Sequence, residues 1–77
     1  MENESPEVIE YPFVRLEFDG PLAIMTLNDP ERLNAMGMDM GESIATVLNE
    51  IAKPRRKCRA LMITGEGRAF CAGVNLM

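Results

Sequence analysis

The residues best suited to chemistry lie near the end of this sequence, where small side chains follow a turn with two glycines. The turn is Gly65-Glu66-Gly67, and the stretch after it reads Ala69-Phe-Cys-Ala-Gly-Val-Asn-Leu76. Asn75 is a good N-cap residue, so we expect a helix to begin near it. Backbone N–H groups at such a helix start point outward and can stabilise a carbonyl oxygen that becomes negative in a transition state. A tight connection between two elements would use the same small residues, and both interpretations stay open at this point.

The two glycines do not form a nucleotide-binding motif. A dinucleotide fingerprint, GxGxxG, would need a third glycine where the sequence has Phe70. A phosphate loop of the GxxxxGK[ST] type would need a Gly-Lys pair, and the sequence contains none. Both nucleotide interpretations are therefore excluded.

The composition excludes several other classes of site. The 77 residues include no histidine and two cysteines, Cys58 and Cys71, so there is no histidine-based triad and no CxxC pair for zinc. We predict no metal site. A net charge of −4 and an aromatic content of 5% argue against nucleic-acid binding. Five basic residues cluster in the middle of the chain and are expected to form a solvated loop, with contact to a phosphorylated cofactor as the alternative: Lys53, Arg55, Arg56, Lys57 and Arg59.

The start of the sequence is acidic and proline-containing. Pro6 and Pro12 discourage regular structure, so residues 1–12 are predicted to form a flexible acidic leader. This segment lacks the basic and apolar regions of a signal peptide. No run of residues approaches the roughly 18 apolar residues that a membrane span needs. We therefore expect a cytoplasmic protein in a reducing compartment, without membrane binding.

Patterns of apolar residues predict a β-hairpin after the leader. Residues 13–18 alternate apolar and charged side chains, which is typical of a half-buried strand. Residues 22–27 are more apolar and predict a second, central strand. The intervening Asp19-Gly20-Pro21 favours a turn, so the two strands are expected to pair.

A helix and a third strand are predicted beyond the hairpin. Residues 31–36 form a loop or a single helical turn, and Asp39 is the expected N-cap, with Glu42 at the capping-box position. Apolar residues at helical spacing then continue to about Ala52. Residues 59–64 predict the third strand. Because a helical crossover favours parallel pairing, the fold class is α/β: a β-hairpin, a helix, a strand and the start of a second helix.

Two separated segments resemble the N-terminal part of the crotonase superfamily, the enoyl-CoA hydratases and isomerases and their relatives. The first segment is Asn28-Asp-Pro-Glu-Arg-Leu-Asn-Ala-Met36, and the second joins Ala60-Leu-Met-Ile-Thr-Gly65 to Gly67-Arg-Ala-Phe-Cys-Ala-Gly-Val-Asn-Leu76. Their order and spacing match the family, and the resemblance runs from about Phe13 to the last residue. It implies that residues 13–77 are the truncated N-terminal portion of a crotonase-like domain, a spiral of ββα units.

The resemblance also implies a substrate class and a site. Family members act on acyl-CoA thioesters, with coenzyme A as part of the substrate and no separate cofactor. They stabilise a thioester enolate in an oxyanion hole of two backbone N–H groups, and they usually assemble as trimers or dimers of trimers, so a homo-oligomer is expected. By position, Ala72 would supply the first N–H. The residues expected along the CoA and acyl path are Arg32, Leu33, Ala35, Ala69, Gly73, Val74, Asn75 and Leu76. Arg32 suits a phosphate, with a surface salt bridge as the alternative.

The sequence departs from the family pattern in two ways. Asn75 stands where the family most often has aspartate, which preserves helix capping but removes a charge near the acyl pocket. The second oxyanion donor and the acidic residues that serve as general acid and base lie, in the family, beyond the end of this sequence. We therefore expect a fragment of an enoyl-CoA hydratase/isomerase-type enzyme that is inactive alone. The alternative is a non-catalytic remnant that acts only by associating with itself or with an intact relative.

Overall fold

The computed structural model describes residues 7–71, which form a mixed four-stranded sheet with a helix packed on one face. The strands lie across the sheet in chain order: β1 (Glu7–Tyr11), β2 (Val14–Asp19), β3 (Leu22–Leu27) and β4 (Ala60–Gly65). The first three strands pair antiparallel, whereas β3 and β4 pair parallel. Helix α1 (Met38–Ile51) connects β3 to β4, with short 3-10 helices at Pro30–Arg32 and Pro54–Arg56. The predicted α/β class, the hairpin and the parallel pairing are confirmed.

Strand β1 corrects the prediction of a flexible leader over residues 1–12, which is wrong for Glu7–Tyr11. This segment pairs along its whole length with β2, from Glu7 opposite Phe18 to Tyr11 opposite Val14. Ile9 and Tyr11 pack against the core. The prolines flank this strand instead of interrupting it, and exposed glutamates are compatible with an edge strand.

The core lies between one face of the sheet and α1. Direct partners in β2 and β3 share that face, so their apolar side chains are buried together: Val14 with Leu27, Leu16 with Met25, and Phe18 with Ala23. Met40 and Val47 of α1 close the core from above. Burial of this kind is worth about 25 cal/mol for each Å² of apolar surface, and it fixes α1 over β2 and β3.

Helix α1 begins two residues earlier than predicted. Gly37 is the N-cap, with an extended backbone, and its carbonyl oxygen accepts a hydrogen bond from the Gly41 N–H at 2.9 Å. Asp39 instead lies in the first turn, where the positive end of the helix dipole stabilises a carboxylate. The predicted N-cap at Asp39 and its capping box with Glu42 are therefore wrong. The predicted helix end near Ala52 is confirmed, since Ala52 is the C-cap.

The basic cluster is not solvated throughout, because Arg56 folds back onto the sheet. Its side chain is 13% exposed, and its guanidinium lies 4.3 Å from the centre of the Phe18 ring. It donates hydrogen bonds to Glu50 at 2.7 Å and to Glu7 at 2.8 Å. Arg56 thus ties the start of β1 to the end of α1, and the prediction of a solvated loop is wrong for this residue.

These contacts lower the pKa values of both carboxyl groups. Hydrogen bonds from Lys53 and Arg56 lower the pKa of Glu50 from its usual 4.5 to about 2. A hydrogen bond from Arg56 lowers the pKa of Glu7 as well. Glu50 therefore stays charged well into the acid range.

Strand β4 forms the second edge of the sheet. Met62 and Ile63 are exposed, and Ala60–Gly65 contains no charged residue. Arg59 and Glu66 flank the strand on either side. This apolar edge, unlike the acidic β1 edge, offers a surface suited to further strand pairing.

Candidate functional site

Two loops leave the sheet at the same end of its strands and form the candidate site. One follows β3 and the other follows β4, and Leu27 at the end of β3 pairs with Gly65 at the end of β4. Because these neighbouring strands are parallel, their carboxyl ends lie side by side. The two segments that carry the family resemblance, far apart in sequence, therefore meet in space.

The first loop, which precedes α1, closes on itself through backbone hydrogen bonds. Pro30 starts its 3-10 turn, the Leu33 N–H donates to Pro30 at 3.0 Å, and the Ala35 N–H donates to Arg32 at 3.0 Å. Leu33 and Asn34 then both adopt left-handed backbone conformations, with φ of 54° and 57°. Such conformations are uncommon for residues with side chains and persist where surrounding contacts hold them.

Asn34 provides those contacts and joins the two loops. Its side chain is fully buried, and its Oδ1 accepts a hydrogen bond from the Asp29 N–H at 2.7 Å. Its Nδ2 donates to the carbonyl oxygens of Glu66 at 2.9 Å and Ala69 at 2.7 Å. Both amide protons therefore have an acceptor in the second loop.

Asn34 belongs to the first segment that carries the family resemblance, but its sequence context predicts no role for it in the site. The available signal was chemical: asparagine tolerates left-handed backbone conformations, and its amide mimics a peptide group. That signal predicts a turn at Asn34. It does not identify the carbonyl partners, which lie in a distant part of the sequence.

The two glycines of the second loop allow this close approach. A Cβ added at Gly65 would lie 2.5 Å from the Phe70 carbonyl oxygen and 2.8 Å from Asn34 Nδ2. A Cβ at Gly67, where φ is 86°, would lie 2.8 Å from the Pro30 Cβ. The glycines thus serve the contact between the loops.

The structure divides the predicted site residues into three groups. Arg32 and Ala35 line an open pocket of about 190 Å³ beside the start of α1, together with Phe13, Asp29 and residues 37–40. Ala69 lies in the second loop, bound through its carbonyl to Asn34, and Leu33 holds the left-handed turn. The remaining predicted residues lie outside the described part of the chain, so their roles stay predictions: Ala72, Gly73, Val74, Asn75 and Leu76.

Arg32 takes the alternative role weighed for it, an exposed ion pair. Its guanidinium lies 3.5 Å from the Asp29 carboxylate, and its side chain is 65% exposed. The Asp29 carboxylate is only 14% exposed, so the Arg32 end of this pair is the one open to solvent. The pocket therefore presents the Arg32 guanidinium to solvent, and its lining combines the two carboxylates of Asp29 and Asp39 with apolar side chains.

Residues 7–71 contain no group of three or more histidine, cysteine, aspartate or glutamate side chains placed to hold a metal ion. Within the same range, no helix is long and apolar enough to cross a bilayer.

Comparison with known proteins decides the family. The sequence model of the enoyl-CoA hydratase/isomerase family matches residues 22–77, which is more than half of the chain and includes both loops. The chain belongs to the enoyl-CoA hydratase/isomerase family. The predicted resemblance to the crotonase superfamily is thereby confirmed.

Individual family members support the assignment. The chain is 37% identical to a "Probable enoyl-CoA hydratase" of Rhodobacter capsulatus over 68 residues, covering 88% of this chain and 25% of the relative. It is 36% identical to the "1,2-epoxyphenylacetyl-CoA isomerase" of Escherichia coli over 64 residues, covering 83% and 24%. The chain spans about a quarter of the length of these relatives.

The fold agrees with that of a solved family member. The crystal structure of an enoyl-CoA hydratase/isomerase from Mycobacterium paratuberculosis matches with a TM-score of 0.80 and 34% identity, covering 87% of this chain and 26% of that one. The described sheet and helix therefore correspond to an N-terminal portion of the family fold.

Proposed function

We propose that this chain is the N-terminal part of an enzyme that hydrates or isomerises the acyl group of an acyl-CoA thioester. The observation that supports this most directly is the pair of hydrogen bonds by which Asn34, in the first loop, holds the Glu66 and Ala69 carbonyl oxygens of the second loop. Family membership supports the substrate class.

In this proposal each loop has one task. The first loop meets the CoA moiety through Arg32, Leu33 and Ala35, and the exposed guanidinium of Arg32 binds a phosphate of CoA. The second loop leads from Ala69 to Ala72, whose N–H donates to the thioester oxygen as negative charge develops on it. Gly73, Val74, Asn75 and Leu76 line the acyl path.

The remaining chemistry is assigned to parts of the enzyme beyond these residues. Hydration adds water across the double bond and needs a proton donor and acceptor, which contribute about 10²–10⁴-fold. A second oxyanion donor contributes about 10²–10³-fold. We therefore expect the 77 residues alone to bind acyl-CoA without turning it over. A cytoplasmic location and a homo-oligomeric whole enzyme belong to the same proposal.

Binding is tested by titrating the ¹⁵N-labelled chain with crotonyl-CoA and, separately, with free CoA. Both ligands are expected to shift the amide resonances of residues 32–35, and only the thioester is expected to shift that of Ala72. Arg32→Gln should weaken binding of both. Arg55→Gln is the matched control, because Arg55 is also exposed and ion-paired but lies in the basic cluster, bonded to Glu50. Equal effects of the two substitutions, or shifts confined to other parts of the chain, would refute the assignment.

Activity is tested in a chimera that joins this chain to the remaining three quarters of the Rhodobacter capsulatus relative. The chimera should hydrate crotonyl-CoA. In that background Arg32→Gln should raise KM and leave kcat near its original value, because a CoA contact stabilises the ground state and the transition state equally. A folded chimera without activity would overturn the proposed function.

A second candidate is supported by the apolar β4 edge. The exposed Met62 and Ile63 on an uncharged strand favour association with another sheet, as a non-catalytic remnant would require. Such a chain would form stable oligomers and would not affect acyl-CoA turnover by an intact relative. Light scattering and a mixed turnover assay separate this candidate from the enzymatic one.

A further inference from the structure

We propose that Asn34 is a positioning residue, whose side-chain amide sets the path of the second loop toward Ala72. The inference deepens the proposed function and rests on it for the role of Ala72. It concerns a residue that contacts neither CoA nor the thioester in the proposal above. Its influence on the reaction passes through the backbone that it holds.

The geometry of the amide supports this role. Glu66 and Ala69 lie three positions apart, and both of their carbonyl oxygens accept from the same Nδ2, at 2.9 and 2.7 Å. The Glu66 N–H donates to Leu27 at 2.8 Å and anchors the start of the loop to the sheet. Asn34 then provides a second anchor further along, three residues before Ala72. The two anchors together fix where the loop leaves the sheet and in which direction it runs.

The surroundings of the amide leave it little freedom. Asn34 is fully buried, and its Oδ1 is held by the Asp29 N–H at 2.7 Å while its own N–H donates to the Asp29 carbonyl at 2.9 Å. The missing side chain at Gly65 is what lets Nδ2 approach, since a Cβ there would lie 2.8 Å from it. The surrounding contacts therefore fix the position of Nδ2, and the second loop is held where its two carbonyl oxygens can accept from it.

The same residue also connects the two halves of the proposed site. Asn34 lies between Leu33 and Ala35, which are both expected to face CoA, and its left-handed backbone shapes their turn. A displacement of the first loop is transmitted through the amide to Ala69. Binding of the CoA moiety and placement of the oxyanion N–H are thereby linked through one side chain.

Asn34→Asp tests the proposal with minimal change of shape, because it replaces the Nδ2 donor by an oxygen that faces two carbonyl oxygens. The matched control is Ser43→Ala. The Ser43 hydroxyl is also buried and donates to a backbone carbonyl, that of Pro12 at 2.7 Å, which belongs to neither loop. The two substitutions remove similar hydrogen bonds, and only the first removes bonds to the second loop.

Amide hydrogen exchange distinguishes a local loosening of the second loop from a general loss of stability. For each variant, the exchange of the Glu66 N–H, which donates to Leu27 at the start of the second loop, is compared with that of β2 and β3, which reports global unfolding. Asn34→Asp is expected to accelerate loop exchange about tenfold or more beyond the change in the strands. Ser43→Ala should change loop and strands in parallel. Parallel changes in Asn34→Asp would overturn the proposal.

The wild-type chain gives an independent test if Asn34→Asp does not fold. The side-chain amide protons of Asn34 should exchange much more slowly than those of Asn49, which lies exposed on α1. Equal rates would refute the two hydrogen bonds and with them the proposal. A measurement of crotonyl-CoA binding separates failure of the proposed function from failure of the role proposed for Asn34. If the wild-type chain does not bind it, the proposed function fails, and the exchange measurement still decides whether Asn34 holds the loop.

Discussion

Adding one methyl group at Gly65 should loosen the contact between the two loops. The new Cβ would lie 2.5 Å from the Phe70 carbonyl oxygen, 2.8 Å from the Ala69 carbonyl oxygen and 2.8 Å from Asn34 Nδ2, all well below the 3.4 Å at which ordinary contact begins. Two of these atoms belong to the backbone, and the third is fixed by its hydrogen bonds. The loop must therefore move away from Asn34.

Two effects lower the free energy of unfolding of the Gly65→Ala variant. Overpacking a well-filled site costs about 1–3 kcal/mol, and losing the Asn34–Ala69 hydrogen bond costs about 0.5–1.5 kcal/mol. We expect Gly65→Ala to lower the free energy of unfolding by about 1.5–4.5 kcal/mol. For a domain of this size the total is only about 4–12 kcal/mol, so the variant should lose a large share of its stability.

Urea unfolding followed by circular dichroism measures this change, and a second glycine provides the control. Gly41 lies within α1, and nothing lies within 4 Å of a Cβ placed there. Gly41→Ala should therefore raise the free energy of unfolding by about 0.5–1 kcal/mol, because glycine is a poor helix former. A Gly65→Ala variant as stable as the wild type, with unchanged Asn34 amide resonances, would refute the packing argument.

Two further predictions concern the edges of the sheet. The pKa of Glu50 in the folded chain, about 2, lies below its usual 4.5, so its ion pairs add stability above pH 4.5 that is lost as the pH falls toward 2. Arg56→Met should therefore lower the urea midpoint at pH 7. The difference in midpoint between variant and wild type should become smaller as the pH falls. A difference that does not depend on pH would contradict a contribution from these ion pairs. Ile63→Lys on β4 should reduce any concentration-dependent mass seen by light scattering, whereas Met38→Lys, at an exposed position outside the sheet, should not.

The first strand of the hairpin was predictable because burial of one sheet face imposes a period of two on the sequence, whereas β3 and β4 were predictable as short apolar runs bounded by turn residues. The period of two is clear over 13–18, where apolar and charged residues alternate, and the structure places the strand there within one residue. Strand β1 has the same kind of pattern, with Ile9 and Tyr11 facing the core, but its glutamates and the nearby prolines suggested an irregular segment. Pairing with β2 outweighs those local preferences, and local composition does not report pairing.

The two loops of the candidate site were predictable as segments of the sequence, whereas their meeting was not, and the roles of the site residues stay predictions. Arg32, Ala35 and Ala69 were identified through the resemblance, and the structure brings their two segments together. The bond that joins them was not predictable, because it depends on the parallel register of β3 and β4 and on the direction of one amide group. The N-cap at Asp39 failed for a related reason: Gly37 fits the extended entry into α1, and capping preferences rank residues without knowing the path of the incoming chain.

The long sequence separation of the Asn34 contacts has a consequence for synthesis on the ribosome. The carbonyl partners of its amide lie 32 and 35 residues downstream. Strands β1, β2 and β3 pair with sequence neighbours and are able to assemble as soon as they emerge. The contact between the two loops has to wait until Ala69 has left the exit tunnel. A nascent chain paused before that point would carry an assembled antiparallel sheet and a first loop whose buried amide, Asn34 Nδ2, still lacks both of its carbonyl partners.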